Sequence, residues 1–328
     1  MPQAADQEPR PPKPLGIGTI CFVVSTLSTI AVTYAVENVK LYGYSLFLGV
    51  PFVVGLLLAL LYQYDREWKW PEVLLLTLLN LAMSALWLLL CKIEGVVCIL
   101  MAAVLVAGIT LAGILFVWFL RRVVFGPRRT QLNCLAVVSI PLAMNWEATH
   151  RPTPPMLEQT TTIEVNASPD IVWQFIPSFP PITDPPAGWL ASGVAYPIAS
   201  EIDGNGLGAT RRCIVSTGTM PEVVTAWAPG KKLEFEVKDT PPAMVETNPF
   251  GEVHAAHLEG YVQARYGRFV LVPLPDGRTR IEGTSWFEHD LWPQWYWEPV
   301  TRHTVSQIHT RVLKHIKALA EKAATSAK

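Results

Sequence analysis

The order of polar and apolar positions divides the 328-residue chain near residue 150. Ahead of that point lie four apolar runs with no internal charge: Leu15–Val36, Leu41–Tyr62, Val73–Cys91 and Gly95–Leu120. A helix rises ~1.5 Å per residue, so ~20 apolar residues match a hydrocarbon layer ~30 Å thick. The pattern predicts four membrane-spanning helices. Only Lys92–Glu94 separates the third from the fourth, which predicts a tight antiparallel hairpin. A further run, Leu132–Trp146, is apolar apart from Asn133, Ser139 and Asn145 and contains Pro141. It is short for a crossing and also suits a helix lying in the interface.

Beyond residue 150 the periodicity changes to that of strands. Arg151–Pro155 is a proline-stiffened spacer. Thr160–Val165 alternates, with Thr161, Ile163 and Val165 on one face. Ser168, Pro169 and Asp170 form a helix start for a short helix running on through Ile171–Ile176. Six more strands are predicted: Gly193–Glu201, Ala209–Thr217, Glu222–Trp227, Lys232–Lys238, Gly260–Val272 and Arg278–His289. In Lys232–Lys238, Leu233, Phe235 and Val237 alternate with charged residues, which predicts one buried and one wet face. A long amphipathic helix over Glu298–Lys322 closes the chain, with Thr301, Val305, Ile308, Val312, Ile316 and Leu319 on one stripe. A sheet curling around such a helix leaves a cavity unless large side chains fill it.

Charge adds orientation. The chain carries 26 Lys/Arg and 27 Asp/Glu, and no basic stripe, which argues against nucleic-acid binding. Arg10, Lys13, Arg66, Lys69, Arg121, Arg122, Arg128 and Arg129 flank one set of span ends, against Lys40 and Lys92 at the other. This bias places the N-terminus in the cytoplasm. Four arginines ahead of Leu132–Trp146 and none at its end favour a fifth crossing, which puts the C-terminal domain outside the cytoplasm; four spans would keep it inside. The spans hold no ionisable residue, which argues against an ion pathway. Asn80, Ser84 and Thr110 are expected to bond between helices, and Gly108 with Ala112 to allow close helix packing. The expected organisation is a disordered N-terminus (1–14), a bundle (15–146), a linker (147–156), a ligand-binding domain (157–322) and a tail (323–328). Met1–Lys13 does not have the form of a cleavable signal sequence, because the apolar run after it is too long.

The stretch Ile163-Glu-Val-Asn-Ala-Ser-Pro-Asp-Ile-Val-Trp resembles the opening of the START/polyketide-cyclase (helix-grip) superfamily. Pro229-Gly-Lys-Lys-Leu-Glu-Phe, Gly277-Arg-Thr-Arg-Ile-Glu-Gly-Thr-Ser-Trp and Ile308-His-Thr-Arg-Val-Leu-Lys-His-Ile extend the resemblance over about residues 157–322. It is similar to membrane-anchored bacterial members, which implies a plasma-membrane location. The resemblance implies an α+β fold, a transmembrane bundle followed by a helix-grip domain, and binding of a hydrophobic small molecule or membrane lipid. It implies no single reaction, because members range from carriers to cyclases.

Expected ligand-binding residues are Arg211, Trp227, Phe235, Trp286, Trp297, His309 and His315. Arg211 and Arg212 are adjacent in a strand and face opposite ways, so one can reach inward. No nucleophile, paired carboxylate or cofactor motif stands out, so no catalytic residue and no cofactor is expected. His254, His257 and His289 do not form a recognisable metal-ligand spacing, and the five cysteines form no CxxC motif. Two other readings remain: a cyclase or dehydratase using His309 or His315 with Arg211 or Arg212, and an assembly protein docking through the aromatics at Trp292–Trp297.

Overall fold

The computed structural model describes residues 16–63, 66–125, 133–253 and 255–326. Met1–Lys13, Leu15, Arg128, Arg129 and His254 lie outside these. Among the described residues, four helices are long and apolar enough to cross a membrane: α1 (Ile17–Val39), α2 (Ser45–Tyr62), α3 (Trp70–Leu90) and α4 (Val96–Val123). Their outward faces carry bare leucine and valine, with Leu78, Leu100 and Val104 all strongly exposed. Such a surface is stable against hydrocarbon and costly against water.

Inside the bundle, α1 meets α3 and α2 meets α4. Asn80 donates to the Cys21 carbonyl at 3.3 Å, and Ser84 bonds Ser28 at 3.1 Å, both between α3 and α1. Thr110 differs from expectation: its hydroxyl donates to Val106 on its own helix. The close helix contact also lies elsewhere. Gly108 faces open space, whereas Gly55 sits against the Thr110 carbonyl and Gly113 against the Phe52 carbonyl, so the α2 and α4 backbones nearly touch.

The expected fifth segment is helical as α5 (Asn133–Thr149), with Pro141 inside it. Over its described residues it is not among the helices of spanning length. It runs past the expected start of the linker, and its Glu147 carboxylate accepts the Tyr44 and Ser45 N–H groups at 2.6 and 2.7 Å. That supplies partners for free amides at the start of α2.

The second half is one seven-stranded antiparallel sheet, β1 (Leu157–Val165), β2 (Pro197–Asp203), β3 (Thr210–Val215), β4 (Gly218–Ala228), β5 (Lys232–Val237), β6 (Val262–Pro273) and β7 (Thr279–His289). Its spatial order is β1-β7-β6-β5-β4-β3-β2. Register shifts at Pro197/Ala199, Val224/Ala226 and Ala264/Tyr266 help the sheet curl into a half-barrel. Between β1 and β2 comes the short α6 (Pro169–Trp173), as its Ser-Pro-Asp start predicts. The last helix, α7 (Gln294–Ser326), packs on the concave side and continues into the expected tail. Its C-terminal half buries Val312, Leu313, Ile316 and Ala320 in a core with Val165, Leu233 and Ile281.

The two halves are joined by hydrogen bonds. The Thr247 carbonyl accepts the Val96 N–H at 2.9 Å, and Glu246 Oε1 accepts the Cys98 N–H at 2.8 Å. Gly95, the residue before α4, has no side chain with which to cap the helix, so Glu246 supplies the cap from the other half. Asn248 donates to the Leu89 and Glu94 carbonyls, and the Trp292 N–H donates to the Tyr42 carbonyl at 2.8 Å. Every one of these joints lies at the α1–α2 and α3–α4 turns.

Candidate functional site

Between α7, the curled sheet and the top of the bundle lies a cavity of about 490 Å³. This lies within the ordinary range for small-molecule sites. From the domain its wall includes Phe179, Phe235, Phe269, Phe287, Val305 and Ile308. From the bundle it includes Val32, Leu46, Val50, Leu88, Ala102 and Val106. The N-terminal half of α7 therefore turns its apolar stripe toward a cavity, while the C-terminal half turns it toward packed core. Gly267 sits opposite Phe235 in the β5–β6 register, and a Cβ there would strike the Phe235 ring.

Among the described residues, acidic, basic and imidazole side chains meet this cavity at three places, apart from uncharged polar groups such as Ser28, Asn80, Ser84 and Thr301. Arg211 and Glu222 pair directly across β3 and β4, and both are almost wholly buried. Arg211 Nε also donates to the Pro177 carbonyl at 2.9 Å, and the guanidinium lies 4.7 Å from the Phe235 ring centroid. Burial raises the Glu222 pKa, while Arg211 opposes that rise. The neighbouring Cys213 thiol is pushed up to about 12, first by burial and then by Glu222. This thiol stays protonated and unreactive at neutral pH.

The second place is His309 on α7. Its Nε2 lies 2.8 Å from Ser285 Oγ and its Nδ1 lies 3.2 Å from Thr161 Oγ1. Burial pushes its pKa down to about 4, so the imidazole is neutral at pH 7. A neutral, hydrogen-bonded imidazole can accept or pass a proton, or bond a ligand hydroxyl.

The third place is the joint between the halves. Tyr42 donates to Glu94 Oε1 at 2.8 Å, and Cys98 Sγ lies 2.9 Å from His257 Nε2. His257 Nδ1 is 3.7 Å from Glu94 Oε1. Burial raises the Glu94 pKa to about 8, opposed by the Tyr42 hydrogen bond and assisted by Glu246. Burial lowers His257 to about 4. Nothing in the sequence pattern marks this cluster, because Cys98 and His257 are 159 positions apart.

Of the residues expected from sequence, Arg211, Phe235, Trp297 and His309 line the cavity, and Trp297 does so against Phe47 of α2 at 5.1 Å between rings. Three others are elsewhere. Trp286 lies on the convex face, where its indole donates to Glu158 and Arg268 covers the ring. The two-residue strand period sends Ser285 and Phe287 inward and Trp286 outward. Trp227 packs edge-on against Trp173 at 5.3 Å, where α6 covers the end of the sheet. His315 lies six residues beyond His309, roughly a third of a turn away around the helix. It meets the Pro180 carbonyl at 3.0 Å outside the cavity. Arg212 faces outward and pairs with Glu201, the opposite side from Arg211 as expected. The aromatics at 292–297 divide: Trp292 meets Tyr44, Tyr296 donates to the Met101 carbonyl, and Trp295 is exposed.

A comparison with the curated proteins finds no match. Among solved structures, the chain is similar to a norcoclaurine synthase from Thalictrum flavum, at 12% identity, with 53% of this chain and 99% of that chain covered and a TM-score of 0.34. It is also similar to the Zhui aromatase/cyclase from Streptomyces sp. R1128, at 17% identity, with 51% and 95% covered and a TM-score of 0.33. The family profile described as polyketide cyclase / dehydrase and lipid transport matches residues 156–321, which is half the chain and spans all seven strands and most of α7. The chain belongs to the polyketide cyclase / dehydrase and lipid transport family.

Proposed function

We propose that α1–α4 anchor the chain in a membrane and that the domain binds a hydrophobic small molecule or a lipid in the cavity shared with the bundle. The observation that carries this reading is the composite wall. Apolar side chains of α1, α2, α3 and α4 complete a pocket that the sheet and α7 leave open. A pocket made only of domain residues would suit a soluble ligand equally well, whereas this one abuts helices fit for lipid. Its few polar groups suit a ligand that is mostly hydrocarbon with one small polar end.

The same reading extends to orientation: N-terminus in the cytoplasm, domain outside it. In support, the domain docks at the turns holding Lys40 and Lys92, opposite the ends flanked by Arg66, Lys69, Arg121 and Arg122. Helix α5 ends at that docking end, where Glu147 meets Tyr44.

The test is mass spectrometry of an organic extract from the full chain purified in detergent. Wild type should retain roughly one hydrophobic molecule per chain. Ala102→Phe, which fills the bundle side of the cavity, should lose most of it, while Leu78→Phe on the outward face of α3 should not. Equal extracts from all three proteins would reject the reading in favour of surface lipid. A second reading, a proton-transfer enzyme of the cyclase or dehydratase type, is favoured by one observation, the neutral His309 at the cavity wall beside Ser285. It requires that His309→Gln abolish turnover while leaving the retained molecule in place.

A further inference from the structure

The cluster at the joint has no evident part in holding an apolar molecule. Glu94 closes the α3–α4 turn, Cys98 stands in the first turn of α4, and His257 belongs to the short turn Ala256–Leu258 of the domain. One ligand-capable atom from each lies within 4.8 Å of the others. Thiolate, imidazole and carboxylate are the three side-chain types that bind Zn²⁺. All three residues, with Tyr42 and Met244, line the cavity.

Hydrogen bonding alone leaves this cluster incomplete. The Cys98–His257 contact and the Tyr42–Glu94 bond leave Glu94 Oε2 and His257 Nδ1 buried without partners. The His257 side chain is 10% exposed and that of Glu94 11%. An unsatisfied buried polar atom costs about 1–3 kcal/mol, and a buried carboxylate without a cation costs more. Two such atoms, from opposite halves of the protein and beside a thiol, are a shared deficit that one cation removes. Tyr42 occupies Oε1 and leaves Oε2 for a metal, and a hydrogen bond of this kind characteristically orients a ligating carboxylate.

We propose that Glu94, Cys98 and His257 bind one Zn²⁺ ion whose fourth position faces the cavity. Binding takes the Cys98 proton, and the proton that burial keeps on Glu94 at neutral pH, to solvent, leaving thiolate–zinc and carboxylate–zinc bonds. Tetrahedral Zn–S and Zn–N bonds of ~2.3 and ~2.0 Å need sulfur and nitrogen about 3.5 Å apart. The unpartnered Nδ1 is the nitrogen that takes the metal, so the imidazole turns out of its present 2.9 Å Nε2–Sγ contact to bring Nδ1 to that distance from sulfur. The ion has two effects there. It ties the domain to the bundle through ligands from each, and it offers the polar end of the cavity's occupant an oxygen-binding Lewis acid.

The full chain, purified in detergent under reducing conditions and stripped by chelator, is titrated with Co²⁺ alone. The expected result is one equivalent bound, with a thiolate-to-cobalt charge-transfer band and the strong visible bands of tetrahedral cobalt, all displaced by Zn²⁺. Cys98→Ser should remove the charge-transfer band. Glu94→Gln and His257→Gln should each weaken Co²⁺ binding at least ~tenfold, and Tyr42→Phe by roughly 10- to 100-fold. Cys91→Ser, at an exposed thiol, should leave the titration unchanged. Uptake below about a tenth of an equivalent, or a charge-transfer band surviving in Cys98→Ser, overturns the proposal. Should Cys98→Ser fail to give monodisperse protein, an unchanged Co²⁺ affinity in His257→Gln overturns it instead. Neither readout depends on a molecule being held in the cavity.

Discussion

Arg211 and Glu222 face each other across two strands inside a cavity whose other walls are largely apolar. Removing one partner strands the other as a buried charge, which typically costs about 3–5 kcal/mol, whereas replacing both with apolar residues is often nearly neutral. Arg211→Met and Glu222→Leu should each lower the thermal unfolding temperature in detergent sharply, and the double variant should recover most of the loss. Strictly additive losses would show that the pair is not coupled. His309 gives a pH signature. Its pKa is about 4 folded against 6.5 for an ordinary histidine. Between those values the unfolded chain binds more protons, so stability falls as the pH drops from about 6.5 toward 4. The expected loss between about pH 7 and about pH 5 is about 2 kcal/mol. His309→Gln should flatten that share of the profile; equal profiles would remove burial of this imidazole as its cause. Strand alternation allowed one of Arg211 and Arg212 to reach inward, and His309 and His315 were expected at the cavity alike, so the choice within each pair came only from the packed structure. Glu222 was not expected there, because a lone glutamate in an alternating strand reads as a wet position until its cross-strand partner is known.

The elements themselves followed closely from patterning, and the exceptions share one cause. Alternation in two segments and turn signals between the others located all seven strands, and the buried face of β5 is the expected one, Leu233, Phe235 and Val237. In α4, apolar residues surround the helix completely, so nothing in the sequence says which side meets a neighbour. The small pair Gly108/Ala112 therefore pointed the wrong way, and the close contacts are Gly55 against the Thr110 carbonyl and Gly113 against the Phe52 carbonyl. Gly113→Val should push its side chain into the Phe52 backbone, which cannot move aside, and destabilise the bundle by about 1–3 kcal/mol. Gly108→Val, directed into open space, should be tolerated. Thermal unfolding of the two variants side by side separates them, and equal effects would place the α2–α4 contact elsewhere. Trp286 shows the opposite case. Its strand was placed correctly, but its face depends on a register that only the pairing with β1 and β6 defines.

At the scale of the whole molecule the two halves were legible separately and their union was not. Composition announced four apolar helices and a strand-rich domain, yet neither half carries a visible signal that Leu46 of one and Ile308 of the other share a cavity. The joint is built from turns, backbone groups and single side chains, which have no period for a sequence to display. Its most telling contact is Glu246, which caps α4 across 148 positions of chain. During synthesis the α3–α4 hairpin leaves the ribosome long before the residue that finishes it. The half that is made first thus waits for the half that is made last, and the order of birth runs opposite to the order of support.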